Sequence, residues 1–477
     1  MARSFAPPAA ERGETSLLAC AAAAIAALTL WRVGMLLLDA TELSTDEAQY
    51  WLWSQAPSWG EYSKPPLIGW LIWLSKALFG ETIPAVRLPA PLLHGATALI
   101  LMDLGHRMGG PRIGAVAALS YATMPAVTLG SALMTTDTPM LFFLAVALNL
   151  QHRLARQAEP LQTLGLGLAV GLGVLSKHAM IYGLAGMMLA AAVTAAWRPG
   201  WRVVGMAGAV ALLVTLPHLL WLWNSGFVTL RHLASSGASE GIGLNLPGAL
   251  RFLAEQFAVM GPILFAAFWL GLTERSQRGT AVIALTVLGI VTAQALFSHA
   301  LANWAVGFTL PGCLVAAQWL SGRRRVLAAS LAFGLAVAVA LPLVTAFGTG
   351  WRLGEDRLAL ARYLGHDVFA APVLEAAKQA GAGAIIADGR DMLAALSWAA
   401  RKDGPEVLAR PDPGPARHHW DLKAPLPDPA PWPVLLVYEP ANPPPACGDI
   451  LRPPRPEGPG FLQGHQIGLA LLPEGCR

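Results

Sequence analysis

The sequence predicts a mostly α-helical, polytopic membrane protein with a small α/β domain at its C-terminal end. Three observations predict it. The 477 residues are 55% hydrophobic and only 13% charged, with a mean hydropathy of +0.50, where a soluble domain carries roughly 25% charged residues. Apolar runs of the length that crosses a bilayer, about 20 residues, recur from the N-terminus to about Phe347. From about Trp351 charge returns, and prolines become frequent after Pro405. The expected division is therefore a membrane domain over 1–349, with an outer loop at 41–82, and a second domain over 350–477. No amphipathic stripe relieves the apolar runs, which argues against a bundle of soluble helices.

The elements follow in order. The run at 16–38 is longer than a signal-peptide core, and no small-x-small cleavage site stands out before Asp39, so it reads as a retained crossing. Further runs lie near 83–103, 113–131, 138–151, 161–175, 178–196, 202–223, 250–272, 279–298, 304–321 and 327–347, giving about eleven transmembrane helices in all. Lys and Arg in the short loops set orientation. Arg107, Arg112, Arg153, Arg156, Arg198, Arg202, Arg275, Arg278 and Arg323 to Arg325 fall in alternate loops, and Arg3 and Arg12 in the N-terminal tail. The opposite loops hold Lys64, Lys76, Arg87, Lys177, Arg231 and little else. The N-terminus is thus expected in the cytoplasm. The 41–82 loop, the turns at 132–137, 176–178 and 299–303, the 224–249 loop and the C-terminal domain are expected on the extracytoplasmic side of the plasma (inner) membrane.

In the C-terminal domain "GAGAIIADGRDMLAALSWAARKDGPEVLAR" reads as strand, helix, strand, and "PWPVLLVYEP" as a further strand. Cys447 and Cys476 lie there and pair if the compartment is oxidising. The glycine run "GLGLAVGLG" (165–173) sits inside an apolar helix, where close helix packing explains it better than a phosphate cradle. There is no Walker loop, no Asp-x-Asp and no His/Cys cluster with metal-ligand spacing, which argues against an ATP-driven pump. The net charge of +4 comes mostly from the inner arginines and does not argue for nucleic acid.

The acids sort opposite to the arginines: Asp39, Glu42, Asp46, Glu47, Glu61, Glu81, Asp137, Glu240 and Glu255 fall on or near the outer side. An aspartate at mid-bilayer costs roughly 2.5–3.5 kcal/mol, so Asp46 and Glu47 belong at or above the interface. "STDEAQYWLW" starts a short helix that Ser44 or Thr45 caps, and first-turn acids are favoured there by the helix dipole alone. The neighbouring tryptophans read most simply as an aromatic belt. Lys64 shifts the balance: Pro65 and Pro66 pin its charge near the headgroup layer. A carboxylate that takes a proton and a cation that holds a phosphate, on one outer loop, suggest group transfer from a lipid phosphate.

The segments "TDEAQYWLWSQ", "YSKPPLIGWLI", "SALMTTDTPMLFF", "GLGVLSKHAMIYG", "LWNSGFVTLRHL" and "HALANWAVGFTLP" occur in an order that resembles family 39, the protein O-mannosyltransferase-like branch of the GT-C glycosyltransferases. The aminoarabinose–lipid A transferases are similar too. The resemblance spans about 40–320. It implies GT-C architecture, a polyprenyl-phosphate-linked sugar donor, an inverting displacement and an active site at the outer membrane face. The acceptor is then an extracytoplasmic glycolipid such as lipid A, an envelope glycan or a protein. On this resemblance Asp46 is the catalytic base, Lys64 holds the carrier phosphate, and Asp137 in "TTDTP" is a second catalytic position. Glu47, Tyr62, Lys177, His178, Arg231, His232 and Asn303 are candidate substrate-binding residues. Lys177 and Arg231 also read as ordinary cations at a helix end and in a loop. The aminoarabinose transferases place a metal-binding glutamate immediately before the lysine, where Ser63 stands here; a divalent metal is left open and none is required. Arg32, near the outer end of the first crossing, is expected to find an acid in Asp46 or Asp39. Rival readings are a transporter or lipid flippase, a ligase of preassembled glycans, and a membrane-anchored binding protein.

Overall fold

The computed structural model describes residues 9–238, 243–354, 358–411, 414, 416–451, 460–462 and 466–476. Arg3 and Glu240, both counted in the charge pattern above, lie outside the described residues. The fold is mostly helical. It divides into two compact units. The first gathers the described residues of Met1–Leu37, Lys64–Ile68 and Arg87–Pro342, the second those of Leu38–Ser63, Gly69–Val86 and Leu343–Arg477.

Among the described residues, five helices are long and apolar enough to cross a membrane: Ser16–Leu36, Ile83–Gly109, Ala195–Asn224, Arg278–Phe297 and Arg324–Phe347. Two expected crossings are not single helices. Pro111–Ala122 meets Pro125–Ala132 at 54°, and Leu246–Met260 meets Pro262–Gly271 at 110°. The breaks have local causes. Met124 precedes a proline and is extended, with φ −62° and ψ 139°. Gly261 adopts φ +91°, and Pro262 opens the next helix. Shorter apolar helices cover Pro160–Ser176 and Met180–Val193. The glycine run packs as expected: a Cβ on Gly167 would lie 2.6 Å from the Ala207 carbonyl oxygen, and one on Gly171 2.7 Å from the Val214 Cβ. The absence of side chains lets two helix backbones approach. Leu101, Tyr121, Leu144, Phe268, Ile283 and Phe308 belong to the buried core of this unit.

The second unit holds five strands: β1 (Ala384–Ala387), β2 (Glu406–Ala409), β3 (Val434–Tyr438), β4 (Asp449–Leu451) and β5 (Gly468–Leu472), in the order β2-β1-β3-β5-β4. The run read as strand, helix, strand forms β1, the Arg390–Ala400 helix and β2, with β1 parallel to both β2 and β3. β5 runs antiparallel to β3 and β4. β1 is buried throughout, as a strand flanked on both edges and covered on its faces must be. Cys447 and Cys476 form a disulfide. The first outer loop is part of this unit. Its helix Thr45–Trp53 packs on Arg390–Ala400, with Trp51 edge-on to Trp398 at 5.0 Å. Trp51 and Trp53 are buried at 3% and 2% exposure. For these two the aromatic-belt expectation is corrected: they form core, because the C-terminal segment supplies the apolar surface that a membrane interface was expected to supply.

Candidate active site

Each unit gathers its own polar cluster. In the first, Asp137 opens the Asp137–Leu154 helix, and Lys177 ends the Pro160–Ser176 helix. Each charge sits where the helix dipole favours its sign. Lys177 Nζ donates to Asp137 Oδ1 at 2.6 Å, and Asn303 Nδ2 donates to Asp137 Oδ2 at 2.9 Å. Both side chains of the ion pair are largely covered, at 14% and 15% exposure. A cavity of about 480 Å³ opens beside Asp137 and Asn303; it is mostly apolar, with His94, Thr138 and Glu255 as further polar walls. Of the expected site residues the structure thus brings Asp137, Lys177 and Asn303 together.

The other expected residues of this unit stand as follows. Lys64 is half-buried, and its charge bears on the His178 imidazole. His178 Nε2 lies 3.3 Å from His218 Nε2, with the rings stacked. Arg231 is exposed, its guanidinium lying over Gly226, and His232 is half-buried on the same helix, Val228–Ala238. Among the described residues Arg32 pairs with no acid. Its Nη2 donates to the Ala122 carbonyl at 2.7 Å and to Thr128 Oγ1 at 3.2 Å. A helix-break carbonyl, freed from its ladder ahead of Pro125, replaces the expected carboxylate.

In the second unit the capping prediction resolves to Ser44. Ser44 Oγ accepts from the Glu47 N–H at 3.3 Å, and Glu47 Oε2 accepts from the Ser44 N–H at 3.1 Å, a complete capping box. Glu47 is 1% exposed and fixes the turn that carries Asp46 through these contacts. Asp46 itself is 45% exposed. Its Oδ1 accepts from Arg390 Nη2, and Arg362 Nη2 lies 3.9 Å from its Oδ2. Arg390 Nε donates to Gln49 Oε1 at 2.9 Å, and Gln49 Nε2 donates to Ser63 Oγ at 3.3 Å. The Tyr62 hydroxyl lies 2.7 Å from the Arg417 carbonyl oxygen and 3.2 Å from that of Ala416, positioned to donate to either.

The remaining acids of the first loop act as fasteners within the unit. Glu42 accepts from the backbone N–H groups of His366 and Asp367 at 2.7 and 3.1 Å, at the start of the His366–Gln379 helix. Glu81 Oε1 accepts from Trp51 Nε1 and Gln55 Nε2, both at 2.8 Å. Glu61 is buried at 3% exposure, with Oε2 3.6 Å from His419 Nδ1. Burial raises the Glu61 carboxyl to about 7, against a hydrogen bond from Ser58 and the Lys423 charge that pull it down. Burial lowers the His419 imidazole to about 3, helped by the Lys423 charge. His419 Nδ1 accepts from Trp53 Nε1 at 2.9 Å. The two neighbours are therefore a neutral acid and a neutral imidazole over most of the range below pH 7.

Arg390, Arg362, Gln49 and His419 were not legible as site residues. Arg390 is separated from Asp46 by 344 positions, and the only signal was the return of charge after Trp351. Among the described residues, no three His, Cys, Asp or Glu side chains gather as metal ligands would. Ser63, at the position before Lys64, is bonded to Gln49.

A family model described as dolichyl-phosphate-mannose-protein mannosyltransferase matches residues 63–221. The lipid A galacturonosyltransferase RgtD of Rhizobium johnstonii is 35% identical over 84% of this chain and 86% of its own length. The undecaprenyl phosphate-alpha-4-amino-4-deoxy-L-arabinose arabinosyl transferase of Pseudomonas aeruginosa is 30% identical over 32% of this chain and 29% of its own. Among solved structures, ArnT from Cupriavidus metallidurans, bound to undecaprenyl phosphate, has the same fold, with a TM-score of 0.69 at 13% identity over 94% of this chain and 97% of that one.

Proposed function

This chain belongs to the GT-C family of membrane glycosyltransferases, and on that premise we propose that it moves one sugar from a polyprenyl-phosphate carrier to a hydroxyl of lipid A or the lipopolysaccharide core. The observation that carries this reading is the Asp46 carboxylate: half-exposed on a buried, capped turn, it is fixed in place and open to an acceptor. The mostly apolar cavity beside Asp137 suits a lipid-borne substrate. In the proposed step the acceptor O–H passes its proton to Asp46 as its oxygen bonds to the anomeric carbon. The bond from that carbon to the carrier phosphate oxygen breaks with inversion. Lys64, assisted by Lys177 or Arg231, meets the charge of the departing phosphate. One of three ammonium donors on Lys177 is used by Asp137, leaving two for phosphate. In this proposal Asp137 and Asn303 orient hydroxyls of the sugar or acceptor, and His178 and His232 are further candidate contacts to the substrate.

The topology proposed with it has the N-terminus in the cytoplasm and the inner membrane as location. Counting the five long helices, the two bent pairs, Asp137–Leu154, Pro160–Ser176, Met180–Val193 and the segment from Ala302 to Ser321 gives about eleven crossings. The membrane domain is then 1–349, and the α/β domain over 350–477 is extracytoplasmic, where a disulfide such as Cys447–Cys476 persists.

Mass spectrometry of lipid A and core oligosaccharide from cells with and without the protein tests the function. One lost sugar increment is expected; identical glycolipid profiles reject the reading. In purified protein, Lys64→Ala should raise the donor concentration needed for half-saturation, and unchanged saturation would remove Lys64 from phosphate binding.

A further inference from the structure

We propose that a groove lined by Arg112, Arg323, Arg324 and Arg325 binds the headgroup of an anionic phospholipid that carries two phosphates. The groove lies within the first unit, and the proposal does not depend on the transferase reading. It measures about 470 Å³, and its lining holds these four arginines and no acid. Arg112 sits in the first turn of the Pro111–Ala122 helix, and Arg324 and Arg325 in the first turn of Arg324–Phe347. A helix dipole disfavours cations in a first turn, so these three stand where the fold gains nothing from their charge. The bias of Lys and Arg toward one side of a membrane accounts for arginines at this end of the helices. It does not account for their convergence, from two separate helices, on one concave surface. Asp103 and Glu274 on neighbouring segments make no ion pair with any of the four; Asp103 is engaged by Arg107 and Arg153.

The donors are available for a ligand. Arg112, Arg324 and Arg325 make no side-chain hydrogen bond or ion pair among the described residues. Arg323 is anchored: its Nη1 donates to the Trp319 carbonyl at 2.6 Å, and its guanidinium carbon lies 4.0 Å from the Trp319 ring centroid. Guanidinium forks match phosphate oxygens, which accept parallel N–H bonds in pairs. A single phosphodiester brings one negative charge to four positive ones, and a headgroup with two phosphates meets the groove better. The surroundings point to a lipid rather than a soluble anion. The groove lies at the end of the Arg324–Phe347 helix, in which only Ser330, Gly334, Ala338 and Pro342 are buried. Those four recur at every fourth position and so share one face. The rest of the apolar flank is uncovered, with Phe333 and Leu335 at 41% and 51% exposure. Acyl chains would lie along that flank beside the headgroup, whereas a soluble anion would use none of it. Basic pockets at the ends of membrane helices hold acidic lipid headgroups in this way.

Native mass spectrometry of the detergent-solubilised full-length protein tests the assignment by counting bound lipid. The protein is titrated with tetraoleoyl cardiolipin, which has two phosphates, and with dioleoyl phosphatidylglycerol, which has one. The first cardiolipin should bind about 10-fold tighter or more. The combined variant Arg112→Gln, Arg324→Gln, Arg325→Gln should lower cardiolipin affinity about 10- to 100-fold. A control, Arg198→Gln, Arg202→Gln, Arg278→Gln, removes as many charges outside the groove and should change it by less than about 3-fold. Equal losses in the two variants overturn the proposal, since the attraction would then be diffuse. Equal affinity of wild type for the two lipids overturns it as well. So does displacement of cardiolipin by an equal concentration of inorganic pyrophosphate, which would make the occupant a soluble anion. If the glutamine variant fails to insert, Arg112→Lys, Arg324→Lys, Arg325→Lys keeps every charge and removes only the forks. A several-fold loss is expected there, and wild-type affinity would reject recognition by the arginines.

Discussion

The carboxylates of Asp137 and Asp46 each occupy the first turn of a helix and each face a cation, yet their surroundings differ. Asp137 is 15% exposed, and both oxygens are engaged, one by Lys177 and one by Asn303. Asp46 is 45% exposed, with one oxygen on Arg390 and the other meeting Arg362 at 3.9 Å. A saturated, covered carboxylate holds neighbours in place. A half-open one retains lone pairs for an incoming proton. Under the proposed mechanism the first unit's acid would position its neighbours and the second's would accept the proton.

The largest expected effect separates them directly. Asp46→Asn keeps shape and capping but removes the base, and transfer should fall by about 10²–10⁴-fold with the protein still folded and inserted. Near-normal turnover would reverse the assignment. Asp137→Asn should act through stability as well. It leaves the Lys177 ammonium without its anion at 14% exposure, a loss of about 3 kcal/mol for a covered pair. Pairing it with Lys177→Met should restore most of the thermal stability without restoring full turnover. If the double variant regains wild-type transfer, Asp137 has no role beyond its ion pair.

A third test uses pH on the second unit alone. The folded Glu61 carboxyl titrates at about 7 rather than its ordinary 4.5. Its contribution to stability is complete below about 4.5 and is lost as pH rises through 7, a change of about 3 kcal/mol. His419 works the other way: lowered to about 3, it costs stability as pH falls below 6.5. The two slopes oppose each other between 4.5 and 6.5. Glu61→Gln should therefore expose the His419 slope, with melting temperature rising with pH through that window while wild type stays flatter. Parallel curves for the two proteins would show that Glu61 is ionised in the fold.

What the sequence disclosed follows the range of each interaction. The capping box was legible because Ser44 and Glu47 are three positions apart, and the glycine packing because it lies within one apolar run. Long apolar runs outweighed the breaks at Met124–Pro125 and Gly261–Pro262, although both dipeptides are turn signals. The Asp46–Arg390 contact and the burial of Trp53 against His419 span 344 and 366 positions. Neither period nor spacing registers partners that far apart, so Trp53 read as an interface residue and Asp46 was matched with Arg32 rather than Arg390. The acids of the first loop stood out in the sequence by their density. That several of them fasten the loop to the C-terminal segment needed coordinates.

The smallest expected effect tests whether Asp46 depends on its turn. Ser44→Ala removes the side-chain acceptor of the capping box, and caps of this kind are worth about 1 kcal/mol. Global stability should drop by that amount, small beside the Asp137 or Glu61 effects. Glu47 would lose one of its partners, since the Ser44 N–H remains but the hydroxyl does not. The first turn then frays exactly where Asp46 is carried. A base held by its turn should lose turnover at saturating donor by more than the stability change accounts for, with donor affinity unaltered. Ser44→Thr, which keeps an oxygen at the cap, should recover it. If Ser44→Ala lowers stability and leaves turnover untouched, Arg390 alone orients the carboxylate, and the arginine rather than the cap is the element on which the second unit's chemistry depends.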